Sequence, residues 1–151
     1  MREEKEFLKK RFIEFQLKIA ELNRTIREQE DFFQTREKEL YLDLFEVLDA
    51  FENLDETIQS KESELDKTSR RMAKNIRSIH RKLLRVLKTN HIIQMEFPDK
   101  KALMEYCKVV DTVEDSDAEN ETIHIVVKNG YIDKDKNRVL RKAEVITILN
   151  G

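Results

Sequence analysis

Between Arg2 and Asn90 the chain contains neither glycine nor proline, and Glu, Lys, Leu and Arg dominate. The two residues that most readily stop a helix are therefore missing from more than half the molecule. Within that stretch Phe12, Ile19, Ile26, Phe33, Leu40, Val47 and Leu54 recur every seven positions, as the a-position of a heptad does. The d-position is weaker: Phe15 and Leu22 fit, whereas Gln29, Arg36 and Asp43 do not. This spacing predicts a pair of long helices that loosens past Gln29. A helix of about 40 residues would be roughly 60 Å long, and alone it would leave its apolar stripe in water. A second copy of the chain is the simplest cover, so a homodimer is expected.

The pattern broadens past Leu40. Leu40, Leu44, Val47, Phe51, Leu54 and Ile58 recur at alternating steps of four and three, and Leu48 widens the face. A stripe this wide suits a helical bundle. The polar stretch QSKESELDKTS (59–69) reads as a turn, and Met72, Ile76, Ile79, Leu83, Val86 and Leu87 mark a second amphipathic helix. Two such helices from each of two chains would make a four-helix bundle. From Glu39 to Asp66 there are ten acidic residues and one basic, and from Lys67 to Lys88 nine basic residues and no acidic one. Opposite charge favours antiparallel docking, although each exposed pair is worth only about 0.2–1 kcal/mol.

Beyond Asn90 the sequence turns to short β-branched runs: IIQMEF (92–97), CKVVDTV (107–113), TIHIVVK (122–128) and AEVITIL (143–149). PDKKALMEY (98–106) reads as a short helix or loop, EDSDAEN (114–120) as an acidic loop, and residues 133–137 as a polar turn within a hairpin. Asn129-Gly130 reads as a strand-ending turn that needs positive φ at Gly130. The expected architecture is α+β: a long coiled-coil-like helix over 1–38, two helices of a dimeric four-helix bundle over 39–90, and a small, mostly antiparallel β-domain over 91–151.

Charged residues make up 40% of the chain, against about 25% in an ordinary globular domain, which favours long helices with narrow apolar stripes over one spherical core. Cys107 is the only cysteine, so an intrachain disulfide is impossible and a reducing compartment is the simplest setting. The opening MREEKEFLKK does not read as a signal peptide, and no apolar run approaches the ~20 residues of a membrane span. A cytoplasmic location without membrane contact is expected. His80, His91 and His124 have no ligand-like neighbours at i+3 or i+4, and phosphate loops and nucleophile elbows are absent. These patterns predict neither metal nor cofactor and no catalytic residues.

The last segment, NGYIDKDKNRVLRKAEVITI, resembles the C-terminal signature of the GrpE family, nucleotide-exchange factors of DnaK-type heat-shock chaperones. The resemblance rests on Gly130, Tyr131, Arg138, Leu140, Arg141, Ala143 and Val145, and on the order of elements. ELYLDLFEVLDAFENLDETI is similar to the family's first bundle helix, with its Leu-x-x-Val-Leu-Asp pattern. Glu46 stands where the family usually has proline, and FPDKKALMEY keeps little of the family's usual text before the second strand. The resemblance implies a non-enzymatic co-chaperone that promotes ADP release. It implies contact with the chaperone's nucleotide-binding domain through Val127, Tyr131, Arg138, Arg141 and Thr147, with Gly130 as a structural turn. Dimerisation would use Phe12, Phe15, Ile19, Leu22, Ile26, Phe33, Leu40, Leu44, Val47, Phe51, Leu54 and Ile58.

Two rivals remain: a coiled-coil adaptor without exchange activity, and a nucleic-acid binder using the basic helix 67–88. The second is disfavoured, because no aromatic or glycine interleaves the cations as single-strand binding requires.

Overall fold

The computed structural model describes residues 1–151. Helix α1 runs Arg2–Ser60, followed by a 3-10 turn at Glu62–Glu64 and helix α2 over Lys67–Thr89. Six strands follow: β1 (Ile92–Gln94), β2 (Cys107–Val113), β3 (Ile123–Lys128), β4 (Tyr131–Asp133), β5 (Arg138–Arg141) and β6 (Ala143–Ile148). The expected α+β order of long helix, second helix and small β-domain is present.

The turn between the helices has its own chemistry. Asp66 caps α2 by accepting a hydrogen bond from the Ser69 backbone N–H at 2.7 Å. That bond holds the Asp66 carboxyl below its usual range. At the other end Asn90 donates its backbone N–H to Leu87 and its side-chain amide to Val86, while His91 adopts φ 63°. Lys88 in the last turn suits the negative pole of the helix.

The chain forms two compact units, Met1–Leu40 and Tyr41–Gly151. In the first, no side chain is buried: Phe12, Phe15, Ile19, Leu22, Ile26, Phe33 and Leu40 are all more than half exposed. The second has a packed interior in two clusters. One joins Phe45 and Leu48 of α1, Leu87 of α2, and Ile92, Tyr131 and Leu140 of the strands. The other joins Met95, Cys107, Ile123, Ala143 and Val145, with Phe97, Tyr106, Ile132 and Val139 against it.

The strands make two three-stranded sheets, ordered β1-β4-β5 and β2-β6-β3. The first is antiparallel throughout. In the second β3 runs antiparallel to β6 and β2 parallel to it. Side-chain alternation makes the first sheet a middle layer. Tyr131 and Leu140 point to the helices, while their neighbours Ile132 and Val139 point to the second cluster. Only Lys142 separates β5 from β6, so the chain steps from one sheet to the other within a single residue.

Gly130 departs from expectation. Its φ is not positive; the left-handed residues are His91, Lys100, Glu121 and Asn137. Asn129-Gly130 joins β3 of one sheet to β4 of the other and is not a hairpin tip. What requires glycine is close approach: a Cβ at Gly130 would lie 2.5 Å from the Ala143 backbone nitrogen and 2.6 Å from Met95 Sδ. The hairpin turn expected at 133–137 links β4 and β5, with Asn137 at φ 47° and the Asp133 carboxylate accepting from the Asp135 and Lys136 backbone N–H groups. Residues 98–106 form turns and no helix.

Charge pairing between the helices is sparse. Arg77 of α2 bonds Asp55 of α1, and it is the one cation among the nine of α2 that forms an ion pair. Packing of Leu83, Leu84 and Leu87 against the α1 side chains carries the hairpin instead.

Candidate partner-binding site

The five residues expected at a chaperone contact fall in different places. Val127 on β3 is 50% exposed, and Ile125 and Val126 beside it are also open. β3 lies at the edge of its sheet. Arg138, at the start of β5, is half-buried. Thr147 is 4% exposed and Tyr131 fully buried, so neither side chain reaches a partner surface as folded. Thr147 on β6 is flanked on both sides by strands, β6 being the central strand of its sheet. Tyr131 lies flat against Phe45, ring centroids 4.0 Å apart and planes 7° from parallel. Burial drives the Tyr131 hydroxyl pKa upward, with the nearby Glu52 carboxylate adding to it.

Arg141 is likewise turned inward. Its guanidinium grips Asp49 through two parallel bonds of 2.7 Å, and its Nε and Nη2 donate to the Asn129 carbonyl oxygen at 3.0 and 2.7 Å. The guanidinium carbon lies 5.5 Å from the Phe45 ring centroid and 5.4 Å from that of Tyr131, within cation–π range. Burial works against the charge, but the Asp49 carboxylate outweighs it and leaves the Arg141 pKa above its ordinary value. Next to it the Asn129 side-chain amide donates to Glu52 Oε1 at 2.6 Å. Burial nonetheless pushes the Glu52 pKa up, although the Asn129 bond pulls it down.

Phe45, Asp49 and Glu52 are spaced i, i+4 and i+7, one face of α1. That face meets the 129–131 link and the end of β5. Of these partners, sequence reasoning missed Glu52 and Asn129 as functional, and read Asp49 only as a motif position. The signal for Asp49 lay in the helix pattern Leu-x-x-Val-Leu-Asp, and that for Arg141 in the C-terminal pattern. The structure joins the two patterns in one salt bridge.

The expected dimerisation residues divide in two. Those of Met1–Leu40 are exposed throughout. In the second unit Val47 and Leu54 are exposed, at 46% and 40%, whereas Leu44, Phe51 and Ile58 are partly covered within the chain. Leu44 packs on the first cluster and Phe51 stacks on His80. On α2, Met72, Ile79 and Val86 form a second exposed stripe at seven-residue spacing.

In the second unit a helical hairpin packs on a two-sheet β unit whose strand β3 lies at a sheet edge. A family model described as GrpE matches residues 1–148, and the chain belongs to the GrpE family. Members of that family are in general non-enzymatic co-chaperones, nucleotide-exchange factors for DnaK. No curated protein matches the chain closely enough to count as a relative. No helix is long and apolar enough to cross a membrane.

Proposed function

We propose that this chain is a homodimeric exchange factor that accelerates ADP release from a DnaK-type chaperone in the cytoplasm. The observation that carries the reading is the edge strand β3, where Ile125, Val126 and Val127 are all exposed on a unit with a packed core of its own. That strand, with Arg138, would bind one lobe of the chaperone's nucleotide-binding domain. Tyr131, Arg141 and Thr147 would serve the contact indirectly, by shaping the unit that presents it.

The mechanism needs no bond-making by the protein. Exchange follows if the factor binds the open, empty nucleotide domain more tightly than the closed, ADP-bound one. A tenfold preference corresponds to about 1.4 kcal/mol, and linkage makes ADP weaken the complex by the same factor. Dimerisation would cover the stripe from Phe12 to Leu40, and the exposed rows Val47–Leu54 and Met72–Ile79–Val86 would complete a four-helix bundle with the second copy. Stopped-flow release of labelled ADP from a cognate DnaK-type chaperone tests the reading. Release should accelerate by at least about tenfold at saturating protein, and Val127→Asp should abolish the gain. An unchanged release rate with folded, dimeric protein would reject it.

A further inference from the structure

The Asp49–Arg141 salt bridge sits where an exchange factor's lever would need a rigid joint. We infer that this pair, with the Asn129–Glu52 bond beside it, is a positioning device that fixes the orientation of the β unit on its helices and so sets the preference for an open partner. The inference rests on the exchange reading above.

Three observations support a positioning role over a merely stabilising one. First, the β unit has its own interior, in which Met95, Cys107, Ile123, Ala143 and Val145 pack together without any helix residue. The clamp is therefore not what folds it. Second, relative to apolar packing a partly buried ion pair adds little net stability, because desolvation offsets the attraction, although removing one partner alone is costly. Its value lies in direction. A guanidinium fork bound through two parallel bonds fixes both distance and plane, which a lysine ammonium cannot do. Third, the contacts are arranged to stop rotation. The Phe45–Tyr131 stack would allow the rings to slide over each other, and the contacts of Leu48, Leu87, Ile92 and Leu140 around it are equally non-directional. Arg141 touches both rings, Asp49 and the Asn129 carbonyl, and Asn129 reaches on to Glu52, so two successive turns of α1 beyond Phe45 are tied to the 129–131 link by directional bonds.

The link to exchange is mechanical. If the helices form a second contact with the chaperone, a β unit held at one angle matches one lobe position only. A β unit that swivels can follow the lobe back to its closed state without leaving it. Loosening the joint should therefore reduce discrimination between open and closed partners more than it reduces binding itself.

The variants are Arg141→Lys and Asp49→Asn, each conservative in size. Orientation is read from spin labels at Glu56→Cys on α1 and His124→Cys on β3, both exposed positions, with labelled chain diluted into excess unlabelled protein. Exchange and the ADP-induced weakening of the complex are measured alongside. We expect circular dichroism to stay near wild type while the distance distribution broadens, with a lower melting midpoint in Asp49→Asn, which leaves the Arg141 charge unpaired, than in Arg141→Lys, which keeps both charges. ADP discrimination should fall by about tenfold, and affinity for the nucleotide-free chaperone by less than about threefold. An unchanged distance distribution in both variants would overturn the inference, as would a broadened one with exchange intact, or equal losses in binding and discrimination. If the unmodified protein fails to accelerate release, the exchange reading falls. The distance distributions then decide alone whether the pair fixes orientation.

Discussion

The two units of this chain are written in similar residues and reach opposite solutions. Met1–Leu40 carries twelve large apolar side chains beyond Met1 whose exposure ranges from 47% for Ile13 to 66%, and buries none of them. In Tyr41–Gly151 the same helix brings Phe45 and Leu48 to zero exposure against α2 and the first sheet. A regular seven-residue stripe is thus no guide to where its cover comes from. In the second unit Phe45 and Leu48 widen the stripe and find their cover within the chain, whereas the apolar side chains of the first unit find none there.

That contrast can be broken most sharply by paired truncations. Phe45→Ala should cost the second unit about 3–5 kcal/mol, read as a lower midpoint in chemical denaturation. Ile19→Ala should leave that transition in place and act instead on self-association, which sedimentation at micromolar concentration reports. Equal effects of the two on the same transition would show that the units do not differ in this way. A middle-sized effect is expected at Gly130→Ala. The new methyl group would press on the Ala143 backbone nitrogen, which cannot rotate away as a side chain could, so a loss of about 1–3 kcal/mol is expected. A neutral result would remove close approach as the reason for glycine there.

The smallest effect sharpens the contrast from the side of pH. The Glu52 pKa in the fold lies above the ordinary glutamate value of 4.5, because burial disfavours the charged form. The folded chain therefore holds that proton more tightly than the unfolded one, and the group costs stability above its folded pKa. The cost disappears as pH falls toward 4.5. Glu52→Gln keeps the acceptor for Asn129 and removes the charge. It should raise the melting midpoint slightly at neutral pH, with the advantage vanishing on acidification. A variant less stable than wild type at neutral pH would mean that the carboxylate is stabilising despite its burial.

The helices, their turn and most strands were legible because each rests on local periodicity or on residues close in sequence, such as Asp66 capping at Ser69. What could not be read is what depends on distant partners. Asp49 is one of ten acids between Glu39 and Asp66, and nothing in that run marks it as the one that meets Arg141. The parallel pairing of β2 with β6 is equally silent, since a strand's own residues do not state its neighbour's direction. Gly130 was misread for a different reason: Asn-Gly usually signals backbone freedom, and here the missing Cβ matters for space. At the site, Val127, Tyr131, Arg141 and Thr147 were named from the resemblance, and a motif position does not state burial: Val127 is exposed, whereas Tyr131 and Thr147 are buried.

Cys107 carries one last consequence. Its thiol is 1% exposed and burial raises its pKa, so reagents in solution cannot find it while the β unit is closed. The molecule therefore contains a silent chemical alarm: alkylation at this single sulfur would time each opening of the unit, without any label having been added.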